Sequence, residues 1–364
     1  MDYRKYASLL VDYCLGLGKG DALAINATPL AGPLVREVYR AALRAGAHPD
    51  TWIELAGMEK IFFDEAGPEQ LSRVSPLRQL VTERYDAVLN IRAPYNLKEL
   101  AAADPDRKRA ASEAQAPVKD LFMRRAAAGA LRWTLCEFPT EAQAQESGMS
   151  LDELSAFVES ACFLDREDPA AAWRAVHDAQ ERAVNRLNRA GLVHYRAPGV
   201  DVSFSVKGRT WINSDGRRNM PSGEVFTSPV EDSVNGKIMF SFPAIVMGQE
   251  VRDVELEVRD GLVVRWEAGE GREFLDRIFE VPGARRFGEA AIGTNAGITR
   301  FMKNMLFDEK IGGTVHMAIG ASYPETGGKN VSGVHIDLIA DMRGGGEILA
   351  DGELIYRDGA FLPW

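Results

Sequence analysis

The sequence predicts an α/β N-terminal domain with a parallel sheet, followed by a mixed, largely antiparallel β-rich C-terminal domain. Three observations carry this prediction. Residues 1–192 alternate short apolar runs with helical segments in β-α-β order, which favours parallel pairing. Near Leu192–Gly199 the helical spacing gives way to alternation of apolar and polar residues, the mark of half-buried strands. At 364 residues the chain is longer than one ordinary domain. The expected division is therefore 1–192 and 193–364.

In the first part, Tyr6, Leu9, Leu10, Tyr13 and Leu17 recur at helical spacing, and Gly18 follows as a stop. Asp21–Asn26 reads as a strand. Pro33–Gly46 reads as a helix, with proline in its first turn and glycine at its end. Asp50–Leu55 and Tyr85–Ala93 are the next strands, Ala101–Ala128 is rich in helix formers, and Trp133–Glu137 is a short strand. Asp168-Pro169 opens a long helix that ends by Gly191, Asp168 as N-cap and Pro169 at the first helical position. Its apolar stripe is Trp173, Val176, Ala183, Val184 and Leu187. Gln180 interrupts that stripe, so a narrow buried face is expected. The turn ATPLAGP after the first strand has neither GxGxxG nor GxxxxGK[ST], so no nucleotide site is expected here. His48 and His177 read as surface or packing residues.

In the second part, Val200–Val206 alternates cleanly. Lys237–Met247 and Val251–Trp266 supply further strands, with Asp260-Gly261 as a hairpin turn. Phe274–Phe279 reads as a short helix. Glu347–Tyr356 folds back about Asp351-Gly352, and Asp358-Gly359 makes another turn.

Composition excludes several functions. A hydrophobic share of 46% with 26% charged residues is globular. A net charge of −10 argues against nucleic acid, whose phosphates need clustered Lys and Arg. Cys14, Cys136 and Cys162 are odd in number and lack CxxC spacing, which points to buried thiols in a reducing compartment. The N-terminus lacks the layout of a signal peptide, and no apolar run approaches the ~20 residues of a membrane helix. The expected location is the cytoplasm.

Chemistry concentrates in Glu309–Asp341. Two apolar runs, Thr314–Ile319 and Val334–Ala340, each carry an imidazole. His335 and Asp337, two apart on a strand, share one face, while Val334, Ile336 and Leu338 face the other way into packing. Upstream, Glu224 sits in NMPSGEVFTSP and Glu289 in FGEAAIGTN, an apolar and small stretch where an acid is costly to bury without a partner or a cation. Glu224, Glu289, His316, His335 and Asp337 together make three carboxylates and two imidazoles. That set suits a pair of divalent ions with one carboxylate bridging, and its mixed N/O character favours Zn, Co or Mn over Ca. An HExxH helix is absent. Two core histidines satisfied by backbone are the structural alternative.

The segments NMPSGEVFTSP, FGEAAIGTN, LFDEKIGGTVHMAIG, SYPETGGKN and VHIDL, in this order, resemble the aminopeptidase T and aminopeptidase S family of dimetal metallo-aminopeptidases. The matches run through residues 219–341. The resemblance implies metal ligation by Glu224, Glu289 (as the bridge), His316, His335 and Asp337. It implies a catalytic role for Tyr323 and an active-site role for Glu309. It further implies hydrolysis of the first peptide bond of a peptide by cation-activated water, and a homodimer. Two rivals stand beside it. Another dimetal hydrolase, a phosphoesterase or amidohydrolase, would need oxyanion-binding cations, for which Lys329 and Arg343 are candidates. A non-catalytic peptide-binding protein could keep the scaffold without the chemistry.

Overall fold

The computed structural model describes residues 1–246 and 249–363. The chain divides into two compact units, Met1–Ala170 with Gly216–Pro221, and Ala171–Asp215 with Ser222–Trp364. This differs from a single change at residue 192. The long helix Pro169–Leu187 lies almost wholly in the second unit, and a short later segment returns to the first.

The first unit is α/β around a five-stranded sheet. In spatial order its strands are His48–Ile53, Ala22–Ala27, Ala87–Arg92, Arg132–Glu137 and Asn219–Met220, all paired parallel. The fifth strand comes from the returning segment and has no counterpart in the sequence reading. Helix Gly32–Arg44 joins the first pair. Its Leu34, Val35, Val38 and Ala42 are buried on one face, and Gly46 takes the left-handed conformation just beyond its end. The expected N-terminal helix is present, but it changes form. Asp2 caps an α-helix Tyr3–Ser8, which continues as a π-helix over Leu9–Cys14. Helix Pro105–Ala127 carries Pro117 within it.

Among the described residues the second unit holds two large antiparallel sheets and a two-stranded one, Ala244–Val246 with Gln249–Val251. The eight-stranded sheet runs Leu262–Glu267, Val254–Arg259, Asn235–Phe240, Val200–Ser205, Leu192–Ala197, Glu347–Ala350, Glu353–Arg357 and Ala360–Phe361. The turns at Asp260-Gly261 and Asp351-Gly352 have positive φ at both residues, which matches the twist of a tight hairpin. The expected strand Lys237–Met247 is broken. One strand ends at Phe240 and a separate one covers Ala244–Val246, because Pro243 removes a ladder donor between them. Met247 lies outside the described residues.

The five-stranded sheet runs His335–Asp341, Thr314–Gly320, Phe287–Gly293, Glu224–Thr227 and Ile212–Ser214. Its Phe287, Ala290, Ile292, Val315, Met317 and Ile336 enter the same core as Tyr195, Val202 and Phe204 of the larger sheet. The other face of the smaller sheet therefore carries the intervening residues. Those residues include the acids and imidazoles.

Candidate metal centre

Strict alternation would put Phe287 and Ala290 on opposite faces, yet both are in the core. A bulge between Phe287 and Glu289 resolves this and turns the Glu289 carboxylate to the outer face. Gly288 is required there, since a Cβ would meet the Ala321 carbonyl oxygen at 2.1 Å. Glu289 then pairs across to Ala318, and Ala318 to Asp337. The methyl between two carboxylates leaves room for both to lean inward. His316 sits one pair along, between Ala291 and Ile339.

Five of the expected residues converge on this face. His316 Nε2 is 3.5 Å from Glu224 Oε2, 3.5 Å from Glu289 Oε1 and 4.0 Å from Asp337 Oδ1. His335 Nε2 is 3.1 Å from Glu289 Oε2 and 3.5 Å from Asp337 Oδ1. They fall into two groups able to hold a cation, Glu224–Glu289–His316 and Glu289–His335–Asp337. Glu289 belongs to both, with one oxygen toward each histidine.

The donor atoms fit a cation. Glu224 Oε2, His335 Nε2 and Asp337 Oδ1, which all face the cluster, are buried without a well-aligned hydrogen bond among the described residues. Orphaned polar atoms of this kind are costly unless something else satisfies them. His335 Nδ1 lies 2.8 Å from the Ala321 carbonyl, to which it donates. Nε2 is therefore the nitrogen that faces Glu289 and Asp337, the orientation in which an imidazole ligates once a cation displaces its proton.

The electrostatics agree. Burial alone would lower the two imidazoles, but the surrounding carboxylates outweigh it. They push His316 up to about 9 and His335 up to about 11. Asp337 is held down at about 2: burial opposes this, and His335 beside it prevails. Burial raises Glu224. Positive charge is favoured throughout the cluster.

Glu309 and Tyr323 stand beside this centre. The Glu309 carboxylate accepts from Lys310 Nζ, and burial pushes it up to about 8. Tyr323 is partly exposed, with its ring 5.0 Å from that of His335 and 5.7 Å from that of Phe226. Its loop is tied back through Thr326 Oγ1, 2.7 Å from the Tyr323 carbonyl and 2.6 Å from Ser228 Oγ. Ser228 Oγ in turn is 2.6 Å from the Gly288 carbonyl at the bulge. One short chain thus links the tyrosine's loop to the Glu289 bulge. Burial and the Glu289 and Asp337 carboxylates raise the Tyr323 phenol, so it keeps its proton at neutral pH.

The matching family is the thermophilic metalloprotease (M29) family, over residues 1–361. The chain belongs to this metalloprotease family. Among similar proteins, Aminopeptidase 2 of Geobacillus stearothermophilus is 31% identical, covering 99% of this chain and 95% of that one. Aminopeptidase T of Thermus thermophilus is 29% identical, covering 99% and 96%. The solved structure of wild-type AmpT from Thermus thermophilus superposes with a TM-score of 0.84 at 25% identity over 99% of each chain.

The metalloprotease has further residues at the centre that the sequence reading passed over. Lys310 is fully buried, with Nζ 3.6 Å from Glu224 Oε1. Gln180, expected to narrow a helix face, is buried as a hub. Its Nε2 donates to the Glu224 carbonyl at 3.0 Å and to Asn213 Oδ1 at 2.6 Å, and its Oε1 accepts from Thr294 at 2.7 Å. The cations required by a phosphoesterase are not offered by the two candidates. Arg343 is engaged by Asp341 at 2.6 and 2.8 Å, and Lys329 is exposed.

Proposed function

We propose that this metalloprotease is an aminopeptidase that releases the N-terminal residue of peptides, using two divalent cations held by Glu224, Glu289, His316, His335 and Asp337. One observation carries the reading: two three-residue groups meet at a shared carboxylate, Glu289. The relatives named aminopeptidase, similar over nearly the whole chain, support the exopeptidase assignment. Divalent cations in such a site supply Lewis-acid polarisation of a carbonyl and activation of water at neutral pH. The mixed nitrogen and oxygen donors favour Zn, Co or Mn.

The chain's own residues do the rest. Glu289 orients both groups by offering one oxygen to each. The Ala321 carbonyl holds the His335 tautomer. Tyr323, protonated and with its ring beside that of His335, is the residue we assign to donate a hydrogen bond to the developing oxyanion. Glu309, held up at about 8, is suited to passing a proton near neutral pH. Buried thiols at Cys14, Cys136 and Cys162 support a cytoplasmic site of action. Among the described residues no helix is long and apolar enough to cross a membrane. Exposed Leu55, Met58 and Ile61 offer apolar surface for the homodimer that the family resemblance implies.

The test is removal of metal. After chelation and desalting, the protein is expected to lose hydrolysis of aminoacyl-anilides and to regain it when Zn, Co or Mn is added back. N-acetylated anilides and phosphate esters should not be turned over. Full activity in the stripped protein, or equal cleavage of the acetylated substrate, would contradict the proposal.

A further inference from the structure

The two cation groups differ in one respect. The group containing Glu224 lies against a fully buried lysine. Lys310 donates to Glu309 and sits 3.6 Å from Glu224 Oε1. Glu224 Oε2 points the other way, 3.5 Å from His316 Nε2, and has no hydrogen-bond partner among the described residues. The carboxylate is thus divided, one oxygen facing an ammonium and one left over for a ligand.

The backbone enforces this division. Asn295 is fully buried, and its main-chain N–H donates to the Lys310 carbonyl at 3.1 Å while its carbonyl accepts from Gly312 at 3.0 Å. Its side chain donates to the Ser222 carbonyl at 2.7 Å. Thr294 N–H donates to the Gly223 carbonyl at 2.8 Å, and Gln180 holds the Glu224 carbonyl. Three successive carbonyls, Ser222, Gly223 and Glu224, are therefore pinned by the same neighbourhood that pins Lys310. Gly223 permits the approach, since a Cβ would lie 2.8 Å from Asn295 Cβ.

We infer that Lys310 is a positioning residue that restricts Glu224 to one ligating oxygen and makes its cation position the weaker of the two. The inference rests on the proposed dimetal reading. Its physical basis is Coulombic. An ammonium 3.6 Å from Glu224 opposes a divalent ion there most strongly, while the Glu289–His335–Asp337 group has no lysine or arginine within ion-pairing distance among the described residues and feels Lys310 only from farther off, through Asp337. The weaker position keeps its cation less firmly attached to protein oxygens. Lys310 also sets one ammonium between the Glu309 and Glu224 carboxyl groups, which eases their burial in the metal-free protein.

The test is a calorimetric titration of stripped wild type, Lys310→Met and Lys310→Gln with Co²⁺, with thermal unfolding and kinetics at saturating Co²⁺. Wild type is expected to bind two equivalents, the second more weakly. In the neutral variants the weaker equivalent should tighten by at least about tenfold. Their metal-free Tm should fall and be largely restored by Co²⁺. Their kcat should drop by about tenfold or more while KM stays within about threefold, because Glu224 is no longer held to one oxygen. Unchanged or weaker cation binding in folded Lys310→Met or Lys310→Gln would overturn the inference and leave the dimetal reading intact. Failure of wild type to take up two equivalents would overturn both. Should one variant not fold, the other carries the same readouts.

Discussion

Replacing Glu289 with alanine is expected to lower hydrolysis of an aminoacyl-anilide by roughly 10³-fold or more, since it removes a donor from both cation groups at once. Each of the other four residues belongs to one group only. The fold should survive. Glu289 lies on the face of its sheet opposite the core, and its backbone pairing to Ala318 does not involve the carboxylate. Kinetics and thermal unfolding of Glu289→Ala together check this. Retained activity in a folded variant would contradict the shared role.

Tyr323→Phe carries the next largest effect. The phenol is raised by burial first and then by Glu289 and Asp337, so it remains a hydrogen-bond donor across the neutral range. Loss of one donor aimed at a developing oxyanion typically costs ~10² to 10³ in rate. The expected signature is a fall in kcat of that size, a KM within about threefold of wild type, and unchanged cation binding. The ring contacts to Phe226 and His335 are retained by phenylalanine, so the loop should keep its place. A fall in cation affinity with unaltered kcat would instead assign Tyr323 to holding His335.

How far this centre was legible in the chain depends on the range of the interactions involved. The β-α-β order of the first unit was readable because apolar periodicity and cap residues act over a few positions, as at Pro33 and Gly46. His335 and Asp337 were readable as a same-face pair for the same reason. Partition into sheets was not. Nothing local says that Asn219–Met220 joins the parallel sheet, or that Glu224 opens a strand paired to Phe287–Gly293. The break after Phe240 was signalled by Pro243 but overridden by the apolar run that follows. Lys310 escaped notice because a lysine after two acids looks like a solvated charge run. Only its burial against Glu224 distinguishes it. Gln180 was noticed as a polar interruption, but its three partners are at least 33 positions away in sequence.

The claim on which the rest depends is that Glu289 is shared by two cations. Anomalous diffraction from crystals of the protein loaded with Co²⁺ measures this directly. Two peaks are expected, one among Glu224, Glu289 and His316 and one among Glu289, His335 and Asp337, each with a Glu289 oxygen as ligand. A single peak, or peaks away from Glu289, would contradict the account.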